Sequence, residues 1–269
     1  MRCSFPFKKE INGILYELPC GQCMACRLNI ESDWANRILL EARSHDCNCF
    51  LTITYDNDHL PENGSLVKRD IQLFLKRFRK QLGRKIRYYA AGEYGDQFGR
   101  PHYHLCIFGL SKMDQIFKDR IAQKNGYACR LDSWPQGTCF VGDLTLNSAR
   151  YVAKYCLKKR KGKKSVEFYD QLGIVPEFAL MSRRPGLAAC FCDRNSEELD
   201  HFKNIVVEGR EYRLPVYFKN RLRVEIEKDS WKNYCELMKD KPKNITRKQW
   251  LELKGQQQES ELRSKYGKI

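Results

Sequence analysis

No stretch of this 269-residue chain approaches the roughly 20 consecutive apolar residues of a membrane-spanning helix, which excludes that class of protein. Acidic residues are also scarce: 33 Asp and Glu stand against 49 Lys and Arg, a formal charge of +16. That deficit makes nucleic acid the leading partner class, with an anionic membrane surface as the rival. The start, Met1-Arg2-Cys3-Ser4, lacks the apolar core of a secretory signal, and internal repeats are absent. The sequence therefore reads as a soluble intracellular protein with no membrane partner. Thirteen cysteines, an odd number and without a signal, favour free thiols or metal ligation over a disulfide framework. The length suffices to bury a substantial core, as one large domain with an extension or as two smaller ones.

Hydrophobic periodicity gives an α+β order of elements. Ile30, Trp34, Ile38 and Ala42 recur every four residues, the mark of a long helix. Phe50-Leu51-Thr52-Ile53-Thr54-Tyr55 alternates threonine with Leu51 and Ile53, as a strand with one polar face would. Ile71, Phe74, Leu75, Phe78 and Leu82 predict an amphipathic helix with a basic outer side, ended by Gly83. A strand over Ile86–Gly92 should return through Tyr94–Arg100 as a hairpin to the run beginning Pro101-His102-Tyr103-His104. A helix is expected over Met113–Ala122, a weaker strand over Thr138–Gly142, and a helix holding Tyr151 and Tyr155. Past Lys164 the signal loosens into turn chemistry over Leu172–Cys192, an extended stretch at Tyr212–Phe218, and a charged, Gln-rich tail from Arg247.

Side chains alternate faces along a strand, so His102 and His104 project together while Tyr103 faces the other way. Two imidazoles form a metal grip with an incomplete shell. Glu93, across the hairpin, is the first choice for a third ligand, and Asp96 the second. Imidazole pairs suit zinc, yet two His and one carboxylate with open positions also hold Mn²⁺, or Mg²⁺ less tightly. A packed or surface histidine pair is the plainer alternative.

On a helical wheel with Ala149 at zero, Val152, Ala153, Cys156 and Leu157 lie within roughly 80°, an apolar stripe complete without any tyrosine. Lys154, Lys158, Tyr151 and Tyr155 fall together on the opposite side, at roughly 140° to 240°. A tyrosine becomes a useful nucleophile only when a neighbouring cation or base assists, and Lys154 and Lys158 are placed to do so. A merely solvated face is the alternative. The run Lys159, Arg160, Lys161, Lys163 and Lys164 then suits tracking of a phosphate backbone, with salt-sensitive affinity. Tyr88 and Tyr89 are available either for stacking on unpaired bases or for the core. Cys20, Cys23 and Cys26 carry the Cys-x-x-Cys spacing of a tetrahedral zinc site; Cys3 is the first choice for the fourth ligand, then Cys47 or Cys49, with an ordinary thiol cluster as the alternative.

Taken together, Phe50–Tyr55, Gly92-Glu93-Tyr94-Gly95, Pro101-His102-Tyr103-His104 and Tyr151-Val152-Ala153-Lys154-Tyr155 resemble the HUH endonucleases that initiate rolling-circle replication. The arrangement, cysteine-rich start included, is similar to the initiators of small single-stranded DNA phages of the microvirus group, gokushoviruses in particular. The resemblance implies a ferredoxin-like (RRM-like) core with an antiparallel sheet and flanking helices, as a nuclease domain over residues 1–165 and a basic extension over 166–269. It implies Mg²⁺ or Mn²⁺ on His102, His104 and Glu93. It also implies paired nucleophiles Tyr151 and Tyr155, which alternate in nicking and joining single-stranded DNA at a replication origin through a 5′-phosphotyrosine. The freed 3′-OH would prime a host polymerase, so host replication proteins are expected partners and the bacterial host cytoplasm the expected location. A relaxase or transposase of the same chemistry, and a non-catalytic zinc-containing nucleic-acid-binding protein, are the alternatives.

Overall fold

β-branched and aromatic alternation gives the central strand of a seven-stranded antiparallel sheet, seen in a computed structural model that describes residues 1–11, 14–95, 99–158, 163–222, 242 and 245–266. Contacts divide the chain into two compact units, one spanning Asp33–Pro215 and the other Met1–Ser32 with Val216–Ile269. The sheet lies wholly in the first, which thus extends past residue 165. Its elements are the second half of α1 (Met24–Ala42), β3 (Asn48–Tyr55), α2 (Lys68–Leu82), β4 (Arg87–Tyr94), β5 (Pro101–Phe108), β6 (Lys118–Gln123), β7 (Gly126–Arg130), β8 (Gly137–Asp143), α3 (Leu146–Lys158), α4 (Lys163–Leu172), β9 (Phe178–Met181), α5 (Ala189–Arg194), α6 (Ser196–Phe202), and the hairpin β10 (Asn204–Val207) with β11 (Arg210–Arg213). The strand order is β6-β7-β8-β3-β5-β4-β9, every neighbour antiparallel. The α+β class and the helix-flanked antiparallel sheet expected from the sequence are what the protein has.

The two faces of the sheet divide by parity. Leu51, Ile53 and Tyr55 of β3, Tyr103, Leu105 and Ile107 of β5, and Cys139 and Val141 of β8 form one apolar face, on which α2 lays Ile71, Phe74, Leu75 and Phe78. Each such side chain contributes roughly 1.5–3 kcal/mol of burial before the entropy of ordering is subtracted. Gly83 ends α2 in the left-handed region at φ 67°, its N–H returning to Lys80 O, as a glycine permits without strain. Tyr103 hydroxyl meets Tyr55 hydroxyl at 2.9 Å and accepts from Val67 N–H at 2.8 Å, so the two central strands and the start of α2 share one polar pin inside this core.

The opposite face carries Thr52, Thr54, His102, His104 and Glu93, and α3 packs over β4, β5 and β9 there. Trp34 of α1 meets Tyr89 with ring centroids 5.2 Å apart. Tyr89 is therefore core, and Tyr88 lies under the Arg79 guanidinium; neither is a free stacking platform. At the far end of β4, the Arg87 and Glu41 side chains pair. Glu41 also accepts Ala188 N–H at 2.6 Å, and Arg87 donates to Pro185 O at 3.0 Å and Gly186 O at 3.1 Å, which fastens the chain after β9.

Three local expectations are corrected. Met113–Ala122 is not a helix: Ile116 and Phe117 are buried in turns whose carbonyls receive the Arg120 guanidinium, and the chain then enters β6, paired with β7. Residues 178–181 form β9 on the edge of β4, within a stretch read as turns. In Tyr212–Phe218, an extended start gives way after Pro215 to helix α7 (Val216–Leu222).

The second unit holds the hairpin of β1 (Phe7–Ile11) and β2 (Ile14–Leu18), the first turns of α1, α7, and α8 (Arg247–Tyr266). No helix among the described residues is long and apolar enough to cross a membrane.

Candidate metal centre and nucleophile helix

Register places the three ligand candidates. Across the β4–β5 hairpin Glu93 pairs with His102 and Ala91 with His104, while on the other flank Thr52 of β3 pairs with His104. All three groups leave the sheet on the same face. Glu93 Oε1 lies 2.7 Å from His102 Nε2 and 3.4 Å from His104 Nε2. Glu93 and His104 are buried, at 2% and 4% exposure, and His102 stands at the rim. Gly95 lets that rim form: a Cβ there would sit 3.1 Å from His102 Cε1.

The carboxylate is held ionised. Burial alone raises the Glu93 pKa, but the hydrogen bonds and charges of His102 and His104 outweigh it and leave the group below the ordinary glutamate value. His104 is oriented on its other nitrogen, with Nδ1 2.9 Å from Thr52 Oγ1. With the proton on Nδ1 and donated to Thr52, Nε2 offers its lone pair on the Glu93 side. Phe50 stacks on the His104 ring at 5.7 Å and 14°.

The donor atoms of Glu93, His102 and His104 all lie within 4.8 Å of one another. Bonds of about 2.0–2.2 Å to one cation set neighbouring donors at roughly 3 Å, so these residues fit a divalent ion with positions left open. Asp96, the second choice for third ligand, lies outside the described residues.

The α3 helix begins with reciprocal caps. Thr145 Oγ1 accepts Ser148 N–H at 3.2 Å, and Ser148 Oγ accepts Thr145 N–H at 2.7 Å. Ala149, Val152 and Ala153 are fully buried on the sheet side, as the wheel predicts, and Tyr151 is 45% exposed on the other. The Tyr151 ring meets His104 edge-on, centroids 5.0 Å apart, and Phe50 at 6.3 Å. Lys154 is half-buried on the same helix. Tyr155 and Lys158 belong to the α3 backbone, with Tyr155 one turn, about 6 Å, further along the axis; their side chains lie outside the described residues. Lys159, Arg160 and Lys161 lie outside them too, and Lys163 and Lys164 open the α4 backbone without described side chains.

A family model described as replication-associated protein ORF2 matches residues 48–160, from the start of β3 to just beyond α3. Replication-associated protein ORF2 of Spiroplasma virus 4 is 32% identical over 242 residues, covering 83% of this chain and 73% of that protein. The chain belongs to this replication-associated protein family. Replication-associated protein ORF4 of Chlamydia phage 1 is 32% identical over 235 residues, 82% of this chain and 57% of that protein, and replication-associated protein VP4 of Bdellovibrio phage phiMH2K is 36% identical over 156 residues, 54% and 49%. No solved structure matches. The family's matched segment encloses the whole of the site just described: Phe50, Thr52, Glu93, His102, His104 and α3.

Sequence reasoning found the histidines, Glu93 and the tyrosine helix but passed over Thr52 and Phe50 as functional residues. Their shared parity along β3 marks one face; which strand β3 pairs with, and in what register, is what gives them their roles. The four cysteines Cys3, Cys20, Cys23 and Cys26 converge in the second unit. Cys49, named as another choice, is buried instead in the sheet core.

Proposed function

We propose that this replication-associated protein nicks and rejoins single-stranded DNA at a replication origin, with Tyr151 as the cleaving nucleophile and Tyr155 as its alternate. The observation that carries the reading is the Tyr151 ring set 5.0 Å from His104, itself part of a buried His-His-Glu cluster. Glu93, His102 and His104 would hold Mn²⁺ or Mg²⁺, whose chemistry when bound is withdrawal of charge from a phosphate oxygen.

The remaining work falls to the chain's own residues. Thr52 and Phe50 fix His104, and through it the cluster, while α3 presents the tyrosine hydroxyl from a helix whose buried stripe prevents it from rolling. Tyr151 Oη attacks the scissile phosphorus and the P–O3′ bond breaks. The 5′-phosphoryl group stays on the tyrosine, its phenolic proton passes to water, and the departing strand end takes up a proton as a 3′-OH. The Lys154 ammonium, three residues on, favours the phenolate that attacks. Lys158, Lys159, Arg160, Lys161, Lys163 and Lys164 follow the DNA backbone. The 3′-OH is a primer end, so host replication proteins are the partners that use it, in the cytoplasm of the bacterial host.

Incubation with the phage origin strand and Mn²⁺ or Mg²⁺ should yield a covalent protein–DNA adduct that chelator prevents and that His102→Ala or His104→Ala abolishes. Full adduct formation by the His102→Ala, His104→Ala variant in chelator would overturn the reading; a binding protein without chemistry would give no adduct under any condition.

A further inference from the structure

The second unit has little apolar core with which to hold its parts. Its buried cluster is Cys23, Ala25 and Cys26, with Cys3, Cys20 and Leu262 against it. These parts come from far-separated regions: the chain start, the turn before α1, the first turn of α1, and α8. We propose that Cys3, Cys20, Cys23 and Cys26 bind one structural zinc ion that fastens the chain start and α8 to the head of α1.

Geometry selects the metal. The four sulfurs lie within 4.8 Å of one another, and Cys3 Sγ is 3.8 Å from Cys23 Sγ. A tetrahedron with zinc–sulfur bonds of about 2.3 Å has edges of about 3.8 Å. A disulfide would need about 2.05 Å, and an iron–sulfur cluster inserts several metals and sulfides between its thiolates, spreading them further than one ion does. Four thiolates are the commonest all-sulfur shell for structural zinc, and they leave no open position for chemistry.

The backbone is arranged for thiolates. Cys20 N–H donates to Cys3 Sγ at 3.2 Å, Cys23 N–H and Gln22 N–H to Cys20 Sγ at 3.3 and 3.4 Å, and Ser4 N–H to Cys23 Sγ at 3.4 Å. Such donors spread the excess negative charge that four thiolates leave around a divalent ion. Gly21, at φ 71°, turns the chain between the first two ligands of the Cys-x-x-Cys pair.

The same cluster reaches the other end of the chain. Glu259 Oε2 accepts Met24 N–H at 2.8 Å, at the first residue of α1, and Gln258 donates to Arg2 O at 2.7 Å. Gly255 lets α8 close on the start of the chain, since a Cβ there would lie 2.2 Å from Ser4 O. Zinc therefore organises a unit built from both ends of the chain, while the sheet and the His-His-Glu cluster rest on their own core.

The test is metal content of the full chain purified without added metal, in wild type and in the His102→Ala, His104→Ala background. One zinc per chain in both, resistant to dialysis and lost in Cys23→Ser, Cys26→Ser, is the expected result. Should the cysteine variant not fold, cobalt exchanged into the wild type reads the site directly. Strong sulfur-to-cobalt charge transfer with the intense visible bands of a tetrahedral ion supports the proposal. No zinc in the wild type and no such bands would overturn it, as would zinc that disappears with the histidines alone. Nicking by the same preparations reports on the tyrosine mechanism separately, so either proposal can fail without the other.

Discussion

Replacing Thr52 by valine removes one oxygen and keeps the shape of the side chain. In the native protein that oxygen lies 2.9 Å from Nδ1 of a histidine only 4% exposed, so no water replaces it. Two costs follow. A buried imidazole N–H left without an acceptor costs about 1–3 kcal/mol of stability. The larger consequence is functional: without its partner the ring is free to take the other tautomer, and Nε2 then points a proton rather than a lone pair toward Glu93. Loss of such an orienting partner reduces metal affinity or activity by roughly 10–100-fold, or about 1.4–2.8 kcal/mol. Phe50 still stacks on the ring at 5.7 Å, so its position survives and the loss should fall toward the lower end. Titration of Mn²⁺ against single-turnover adduct formation measures it. Thr52→Val should shift the half-saturating Mn²⁺ at least about 10-fold upward, with activity recovering at saturating metal, and Thr52→Ser should stay within about two-fold of wild type. An unchanged titration for Thr52→Val would show that this hydrogen bond does not tune the site.

Gly95→Ala should weaken Mn²⁺-dependent nicking without unfolding the protein, because the added Cβ meets His102 Cε1 at 3.1 Å and pushes the rim ligand aside; equal activity at limiting metal would contradict this. Leu51→Ala, in the fully buried centre of β3, should cost about 2–5 kcal/mol in denaturant unfolding, whereas a change below about 0.5 kcal/mol would place that side chain outside the core. Burial opposes ionisation of Glu41, but Arg87, Ala188 N–H and His45 hold its pKa below the ordinary 4.5. Its contribution to stability should therefore be complete above that value and fall away as pH drops through the lowered one. Glu41→Gln should flatten this acid limb, and an acid limb unchanged in the variant would contradict the assignment.

Elements with a long, regular pattern were legible in the sequence. The threonine–aliphatic alternation of β3, the stripe of α2 and the hairpin that sets Glu93 against His102 all followed from local periodicity and a turn. The wheel of α3 separated Tyr151 from its buried stripe because three small or branched residues, Ala149, Val152 and Ala153, were enough to seat the helix. Met113–Ala122 misled for the opposite reason: its apolar residues fall at helical spacing, yet Ile116 and Phe117 fill the core from turns, and Ile121 ends up 68% exposed on a strand. The partner strand β7, not local preference, decided that segment. β9 was too short to announce itself, and its place depends on an open edge of β4 supplied nearly ninety residues earlier. In the site, the ligands were legible from face and spacing. Thr52 and Phe50 acquired roles only through the pairing of β3 with β5, which no local pattern encodes.

The central claim is that a tyrosine of α3 becomes covalently joined to DNA beside the His-His-Glu cluster. Wild type, Tyr151→Phe, Tyr155→Phe and the double variant, each incubated with origin single strand and Mn²⁺ and then digested for peptide mass mapping, test it most directly. The expected result is a nucleotide-bearing peptide containing Tyr151 in the wild type, loss of initial cleavage in Tyr151→Phe, loss of joining in Tyr155→Phe, and no adduct in the double variant. A covalent adduct persisting in the double variant would contradict the account and leave α3 as a binding surface.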